Sequence, residues 1–202
     1  MVKRALCPNC LKASSACICS TIKSIDNVHH LHILQDPSEE KKALGTARIL
    51  KLSLNNVQLT IGEVFNEQDF DIQNCYLLFP SEDAIPAASL TEVTGFNKES
   101  QFILLDGSWK KAYKLLMSND FLQALPKVSI NITSKSNYRI RKSPREDGFS
   151  TVEAGFYLLS QLENNTEKFM PLLKSFEYMI DYQIAQMPAE IYQRHYVDKL
   201  KD

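Results

Sequence analysis

The chain has 202 residues, of which 44% are hydrophobic and 23% are charged, and its formal net charge is −1 at pH 7. This length supports one sizeable hydrophobic core with a small appendage, and the composition excludes a disordered chain. No apolar run reaches the roughly 18 residues of a membrane span, and the first residues lack an apolar signal core, so we expect a cytoplasmic protein without membrane contact.

Four of the five cysteines lie close together near the start of the chain, as Cys7, Cys10, Cys17 and Cys19. A Cys-x2-Cys knuckle delivers two thiolates from one turn, and four thiolates fill the tetrahedral shell of a structural Zn²⁺. The second pair, Cys-x-Cys, is tighter than usual, and a redox-active or merely buried set of thiols is the alternative. We predict a zinc-binding arm over 1–27, followed by one α/β domain over 28–202.

The first half of that domain alternates apolar strands with one helix. Buried strands are predicted at 30–35, 57–61 and 75–79. Between the first two, a helix is predicted from Ser38, which can cap it, to Leu54, because apolar residues recur at helical spacing. Histidines occur at 29, 30 and 32, but neighbours in a strand point to opposite faces, so a metal site there is a weak alternative.

The central stretch joins a buried strand at 102–105 to a helix that opens near Trp109, the only tryptophan, through Asp106 and a turn at Gly107. Ligands of α/β proteins sit at the carboxyl ends of the strands, which makes Asp106 a candidate catalytic residue. Asp also caps helices, and Asp-Gly favours turns, so a purely structural interpretation stays open.

A further strand is predicted at 126–132, and the segment 134–145 that follows it holds five basic residues and no acidic one. Arg binds phosphate in a bidentate manner, and Tyr138 can stack on an unpaired base, so the segment is a candidate RNA-binding patch. A solvated loop is the alternative.

The last part of the chain is predicted to be helical. Ser150 and Glu153 form a Ser-x-x-Glu capping box at the start of a helix, whose N-terminal N–H groups can also bind a carboxylate or phosphate. A long helix follows over roughly 166–200, and Pro188 separates off its last part.

Taken in order, these motifs resemble the DTW-domain family of tRNA-uridine aminocarboxypropyltransferases. The name motif Asp-x-Thr-Trp is present as Asp106-Gly107-Ser108-Trp109, and the family's cysteine arm matches the four cysteines above. The other matching signatures are Leu78-Phe79-Pro80-Ser81, Ser136-Asn137-Tyr138-Arg139-Ile140-Arg141 and Ser150-Thr151-Val152-Glu153-Ala154. The chain departs from the family at Ser108, at Gly45 and at Asp36, where His is common, and we assign no role to Asp36.

The resemblance implies transfer of the 3-amino-3-carboxypropyl group of S-adenosylmethionine to N3 of a tRNA uridine, in the variable loop for bacterial members, with release of methylthioadenosine. It also implies a SPOUT-like fold, with a mostly parallel sheet, a C-terminal trefoil knot and C-terminal helices. The alternatives are a SPOUT-type RNA methyltransferase and a non-enzymatic RNA-binding protein with a zinc arm. The expected partner is tRNA, and we expect a monomer without an obligate protein partner.

The resemblance finally implies roles for single residues. The catalytic group would be Asp106, Ser108 and Trp109, and Asp106 would take, or hydrogen-bond to, the N3 proton. S-adenosylmethionine would lie against Leu78, Pro80, Ser81, Leu105, Gly107, Ser150, Thr151, Glu153 and Ala154. The tRNA would contact Lys110, Lys111, Tyr138, Arg139, Arg141, Lys142 and Arg145. The basic residues beside the cysteines, Lys3, Arg4 and Lys12, make RNA contact by the arm a further possibility.

Overall fold

A six-stranded sheet organises the fold, and its neighbouring strands run parallel. The computed structural model describes residues 5–131, 149–188 and 190. The strands are β1 (His30–Gln35), β2 (Val57–Ile61), β3 (Cys75–Leu78), β4 (Ile85–Pro86), β5 (Gln101–Asp106) and β6 (Lys127–Ser129). Their order across the sheet is β2-β1-β5-β3-β6-β4, so β1 and β5 are neighbours although they lie far apart in the chain.

Helices cover both faces of this sheet. They are α1 (Ala47–Ser53), α2 (Trp109–Met117), α3 (Asp120–Ala124), α4 (Thr151–Leu162) and α5 (Thr166–Ala185). Apolar side chains of α1, α4 and α5 pack against one face in a single cluster with Ile33 and Leu104. Those of α2 and α3 pack against the other face with Leu34 and Ile103. Because strand residues alternate between faces, Gln35 and Asp106 lie on the α4 side.

The predicted α/β fold with a parallel sheet is confirmed. Each strand predicted from an apolar run is present, with small shifts at its ends. Two short elements, β4 and α3, were not predicted. β4 has two residues, one of them a proline at the sheet edge, and such a segment has no periodicity that a sequence could show.

The helix predicted from Ser38 to Leu54 is wrong in its first half. A 3₁₀ turn occupies Pro37–Glu39, with Asp36 rather than Ser38 as its cap, and α1 begins only at Ala47. The main-chain oxygens of residues 43 and 45 accept hydrogen bonds from the ammonium group of Lys12, at 2.7 and 3.1 Å. In a continuous helix those oxygens would accept hydrogen bonds from backbone N–H groups one turn further along. Here they accept from Lys12 of the arm instead, and the segment before α1 is not helical.

Other predictions fall partly or wholly outside the described residues. The C-terminal helix is confirmed over Thr166–Ala185, whereas most of the segment after Pro188 is not described. The segment 132–148, which lies between β6 and α4 and contains the whole basic patch, is also outside the described residues, and the trefoil knot stays a prediction. In the part of the chain that is described, no helix has the length and apolar character needed to cross a membrane.

Candidate functional site

A cavity of about 200 Å³ opens at the carboxyl end of the sheet. Its walls come from the ends of β3, β5 and β6 and from the first turns of α2 and α4, which is where parallel α/β sheets bind ligands. Seven residues that were predicted from sequence line it, namely Leu78, Pro80, Leu105, Gly107, Trp109, Thr151 and Ala154. Three of the sequence motifs, at 78–81, 106–109 and 150–154, therefore meet around one space.

Most of the cavity wall is apolar, with three aromatic rings. The rings of Phe79 and Trp109 meet edge to face, with their centroids 6.2 Å apart. Phe149 contributes a third ring, which packs against Tyr157. Such walls suit a flat heteroaromatic group, because aromatic rings bind one another by stacking and by edge contacts.

The turn between β5 and α2 requires a glycine. A Cβ atom on Gly107 would lie 2.8 Å from the Cβ atom of Lys111, a separation that real side chains do not tolerate. Ser108 is the N-cap residue of α2, but its side chain is exposed and makes no capping hydrogen bond. The turn therefore brings the backbone of Gly107 to the cavity wall and leaves the Ser108 hydroxyl outside it.

The carboxylate of Asp106 is held from two sides. The side-chain amide of Gln35 donates to its Oδ2 atom at 2.6 Å, and the hydroxyl of Thr151 donates to its Oδ1 atom. Asp106 is only 6% exposed and does not line the cavity, although its chain neighbours Leu105 and Gly107 do. Asp106 is thus placed directly behind the cavity wall in a fixed orientation.

The capping box predicted at the start of α4 is confirmed. The Ser150 hydroxyl accepts from the backbone N–H of Glu153, and the Glu153 carboxylate accepts from the backbone N–H of Ser150 at 2.8 Å. Both residues are buried away from the cavity. The backbone N–H of Val152 donates to the hydroxyl of Thr46, so two N–H groups of this first turn are already engaged within the protein.

Ser81 and the described candidates for RNA contact, Lys110 and Lys111, do not line the cavity. Ser81 is exposed and hydrogen-bonds to Asp83. Lys110 is exposed on α2, whereas the Lys111 ammonium pairs with Glu39 at 2.8 Å, which raises the pKa of Lys111. The other predicted RNA contacts, Tyr138, Arg139, Arg141, Lys142 and Arg145, lie outside the described residues.

The four cysteines of the arm form a compact cluster in which all sulfur atoms lie within 4.8 Å of one another. The Sγ atoms of Cys7 and Cys19 are 3.7 Å apart, and those of Cys10 and Cys17 are 3.8 Å apart. These distances exclude disulfides, and they match the sulfur–sulfur separation of about 3.8 Å in a tetrahedron with metal–sulfur bonds of about 2.3 Å. Backbone N–H groups of Cys10 and Asn9 lower the pKa of Cys7 to about 6.

The arm is attached to the domain by buried contacts. Cys10 and Ile18 belong to the same hydrophobic cluster as α1, α4 and α5. Arg48 on α1 donates to the main-chain oxygen of Asn9 at 3.0 Å. Lys12 is 6% exposed, and burial lowers its pKa to about 8. Its ammonium is bound to main-chain oxygens, so Lys12 is engaged within the protein.

Comparison with known proteins supplies the family. The sequence profile of the DTW domain matches residues 4–184. The chain belongs to the DTW-domain family. The signature of this family, Asp106 to Trp109, is the turn that forms one wall of the cavity.

Three curated proteins with similar sequences carry the same name. The chain is 29% identical over 200 residues to tRNA-uridine aminocarboxypropyltransferase 2 of Drosophila melanogaster, covering 93% of this chain and 78% of that protein. Proteins of that name from Mus musculus and Macaca fascicularis are each 27% identical, and 90% of this chain is aligned. The chain spans 64% of each of these two relatives, just under two thirds of their length. No solved structure matches the chain.

Proposed function

We propose that this DTW-domain protein is a tRNA-uridine aminocarboxypropyltransferase. The observation that carries the proposal is the convergence of three spaced family motifs, at 78–81, 106–109 and 150–154, on one apolar cavity, with Asp106 fixed directly behind its wall. The names of the similar proteins agree with this activity. We also propose a SPOUT-like fold with a C-terminal knot, and a cytoplasmic protein that acts as a monomer.

The reaction requires a nucleophile and a proton acceptor. Uridine N3 forms a bond to the carbon of the aminocarboxypropyl group that is attached to the sulfonium sulfur. The bond between that carbon and the sulfur breaks, and the sulfur keeps the electron pair as neutral methylthioadenosine. S-adenosylmethionine supplies this activated carbon. The N3 proton must leave in the same process, and we assign its acceptance, or a hydrogen bond to it, to the carboxylate of Asp106.

The cavity fits the adenosine part of S-adenosylmethionine. Its walls are apolar and aromatic, and its polar groups include the side chains of Ser129 and Thr151. The glycine at 107 lets the turn pack against Lys111 and places its own backbone at the cavity wall. In this arrangement Trp109 forms a wall of the site, and Ser108 shapes the turn that presents Asp106.

The cysteine cluster fits a structural zinc ion. Four thiolates in tetrahedral geometry leave no position open for a substrate, so the ion would stabilise the arm and take no part in the reaction. The arm holds residues 43–45 through Lys12, and the next residue, Thr46, contacts the first turn of α4. The metal would therefore support the cavity wall through a short series of contacts.

Binding of tRNA would use basic residues around the cavity. Lys110 is exposed beside the DTW turn, and we assign Arg139, Arg141, Lys142 and Arg145 to phosphate contacts, with Tyr138 stacking on a base. Replacing these residues would weaken tRNA binding and reduce its dependence on salt.

The direct test is mass spectrometry of nucleosides from unmodified tRNA after incubation with the protein and S-adenosylmethionine. We expect a uridine heavier by one aminocarboxypropyl group, together with methylthioadenosine. A methylated nucleoside with S-adenosylhomocysteine would instead identify a methyltransferase, and intact tRNA binding without any product would identify a binding protein. Asp106→Asn should lower the rate at least about 100-fold with little change in S-adenosylmethionine affinity, because a general base contributes about that much.

A further inference from the structure

The side chain of Gln35 makes a buried contact with the candidate catalytic carboxylate. Gln35 is the last residue of β1 and lies directly opposite Asp106 in the register of the parallel pair β1–β5. Its Nε2 atom donates to Oδ2 of Asp106 at 2.6 Å, and the two residues are 5% and 6% exposed. The main chain adds a second link, because the N–H of Asp36 donates to the Asp106 carbonyl oxygen at 3.0 Å.

The contact has a definite chemical effect on a carboxylate. An amide N–H donated to a carboxylate favours its ionised form and restricts its rotation. Thr151 restricts the other oxygen in the same way, from the first residue of α4. A carboxylate that must receive a hydrogen bond from a substrate N–H has to be ionised and correctly oriented before the substrate arrives.

We infer that Gln35 is a positioning residue that keeps Asp106 ionised and aimed for the reaction at the adjoining cavity. The inference rests on the proposed function for its catalytic consequence, whereas the contact itself is independent of it. Gln35 is buried and its side-chain amide is bound to Asp106, so its effect on the reaction is exerted through that carboxylate.

In the described part of the chain, two other charged groups near this end of the sheet are held in contacts of their own. Lys111 of α2 lies 2.8 Å from Glu39 and 3.8 Å from Asp36, both in the loop after β1. Glu153 of α4 belongs to the capping box with Ser150. Among the described residues, Gln35 and Thr151 are the neutral side chains that donate to Asp106.

Two substitutions separate positioning from simple packing. Gln35→Leu removes the donor at similar volume, and we expect the single-turnover rate to fall about 10- to 100-fold while affinity for S-adenosylmethionine changes less than about threefold. Gln35→Glu places a second carboxyl group against Asp106, and two such groups share one proton. Its rate should therefore be low at acidic pH and recover as the pH rises. The acidic limb of its pH–rate profile should lie at higher pH than that of the wild type.

The matched control is Gln101→Leu. Gln101 is also a glutamine of the β1–β5 pair, but its side chain contacts His32 at 2.8 Å, at the opposite end of the strands from Asp106. We expect this variant to lose stability yet keep the wild-type pH profile. If Gln101→Leu and Gln35→Leu change the rate and profile equally, Gln35 has only a structural role and the inference is overturned.

A measurement without turnover separates this inference from the proposed function. The ¹³C signal of the Asp106 carboxyl group, assigned by its loss in Asp106→Asn, should titrate at higher pH in Gln35→Leu than in the wild type. If this midpoint moves to higher pH but the protein makes no aminocarboxypropyl product, the effect of Gln35 on Asp106 is supported and the proposed function is rejected. An unchanged midpoint in folded Gln35→Leu would reject the inference even if the wild type is active.

Discussion

The ammonium group of Lys12 lies 2.7 Å from the main-chain oxygen of Ala43 and joins the cysteine arm to the segment before α1. It also binds the main-chain oxygen of Gly45 at 3.1 Å. A buried cation with two carbonyl acceptors is a specific contact, because each group would lose its hydration without a partner. The arm is therefore an integral part of the domain, fixed to the segment that precedes α1.

We expect Lys12→Met to destabilise the protein by about 1–3 kcal/mol, because two main-chain acceptors lose their donor while the apolar stem of the side chain is retained. Urea unfolding of the metal-loaded protein measures this change. Lys42→Met is the matched control, since Lys42 is a half-exposed lysine of the same segment that pairs with Glu39. The control should change the free energy of unfolding by less than about 1 kcal/mol. Equal effects would contradict the special role of Lys12.

The cysteine cluster should bind one Zn²⁺ per chain. Elemental analysis of the purified protein should find one equivalent, and Cys10→Ser should lower it, because a hydroxyl is a poor ligand for this site. Cys75→Ala is the control, since Cys75 is buried on the α2–α3 side of the sheet and should leave the metal content unchanged. A wild-type protein that remains metal-free after incubation with Zn²⁺ would disprove the site.

Ligand binding in the cavity should be visible in the fluorescence of Trp109, the only tryptophan of the chain. We expect methylthioadenosine and S-adenosylmethionine to change the emission in a saturable manner. Ala154→Leu should weaken binding at least about 10-fold, because the larger side chain occupies space in the cavity. Tyr113→Phe, at an exposed position of α2, is the control. Unchanged affinity in Ala154→Leu would place the ligand elsewhere.

Acidification should destabilise the protein through the three histidines at and before the start of β1. Burial lowers the pKa of His29, His30 and His32 below the usual value. The unfolded chain then binds more protons than the folded chain as the pH falls through about 6.5, so the free energy of unfolding is highest above that pH and decreases below it.

His30 isolates part of this effect, because its Nε2 atom is buried without a hydrogen-bond partner in the described structure. We expect His30→Phe to lose less stability than the wild type between pH 7.5 and 5.5, a range of about two units around the ordinary histidine pKa. Urea unfolding at both pH values gives the comparison. Parallel losses in the two proteins would show that His30 does not contribute.

The sequence predicted the elements of this fold better than their contacts. Strands such as β3 and β5 were predictable because a parallel strand covered on both faces is a continuous apolar run. The capping box at Ser150 and Glu153 was predictable because both partners lie within one helical turn. The contact of Gln35 with Asp106 was not, because it depends on the register of two strands whose contacting residues are 71 positions apart.

The wrong helix before α1 has a similar cause. Local spacing favoured a helix from Ser38, but the arm supplies Lys12 as a donor to the carbonyl groups of that segment, 31 and 33 residues away. A local pattern contains no information on such a distant donor. The candidate site was found from motifs whose order matched a family, and its supporting contacts required the structure.

The position of the cysteine cluster also has a consequence for folding. The four cysteines lie on one short stretch of chain, and the first and last of them are 12 positions apart. Closing so short a loop costs little chain entropy, whereas joining β1 to β5 closes a much longer one. The contacts within the arm are therefore entropically less costly to form than those of the central strands, and the arm adds its buried side chains to the core only when the domain folds.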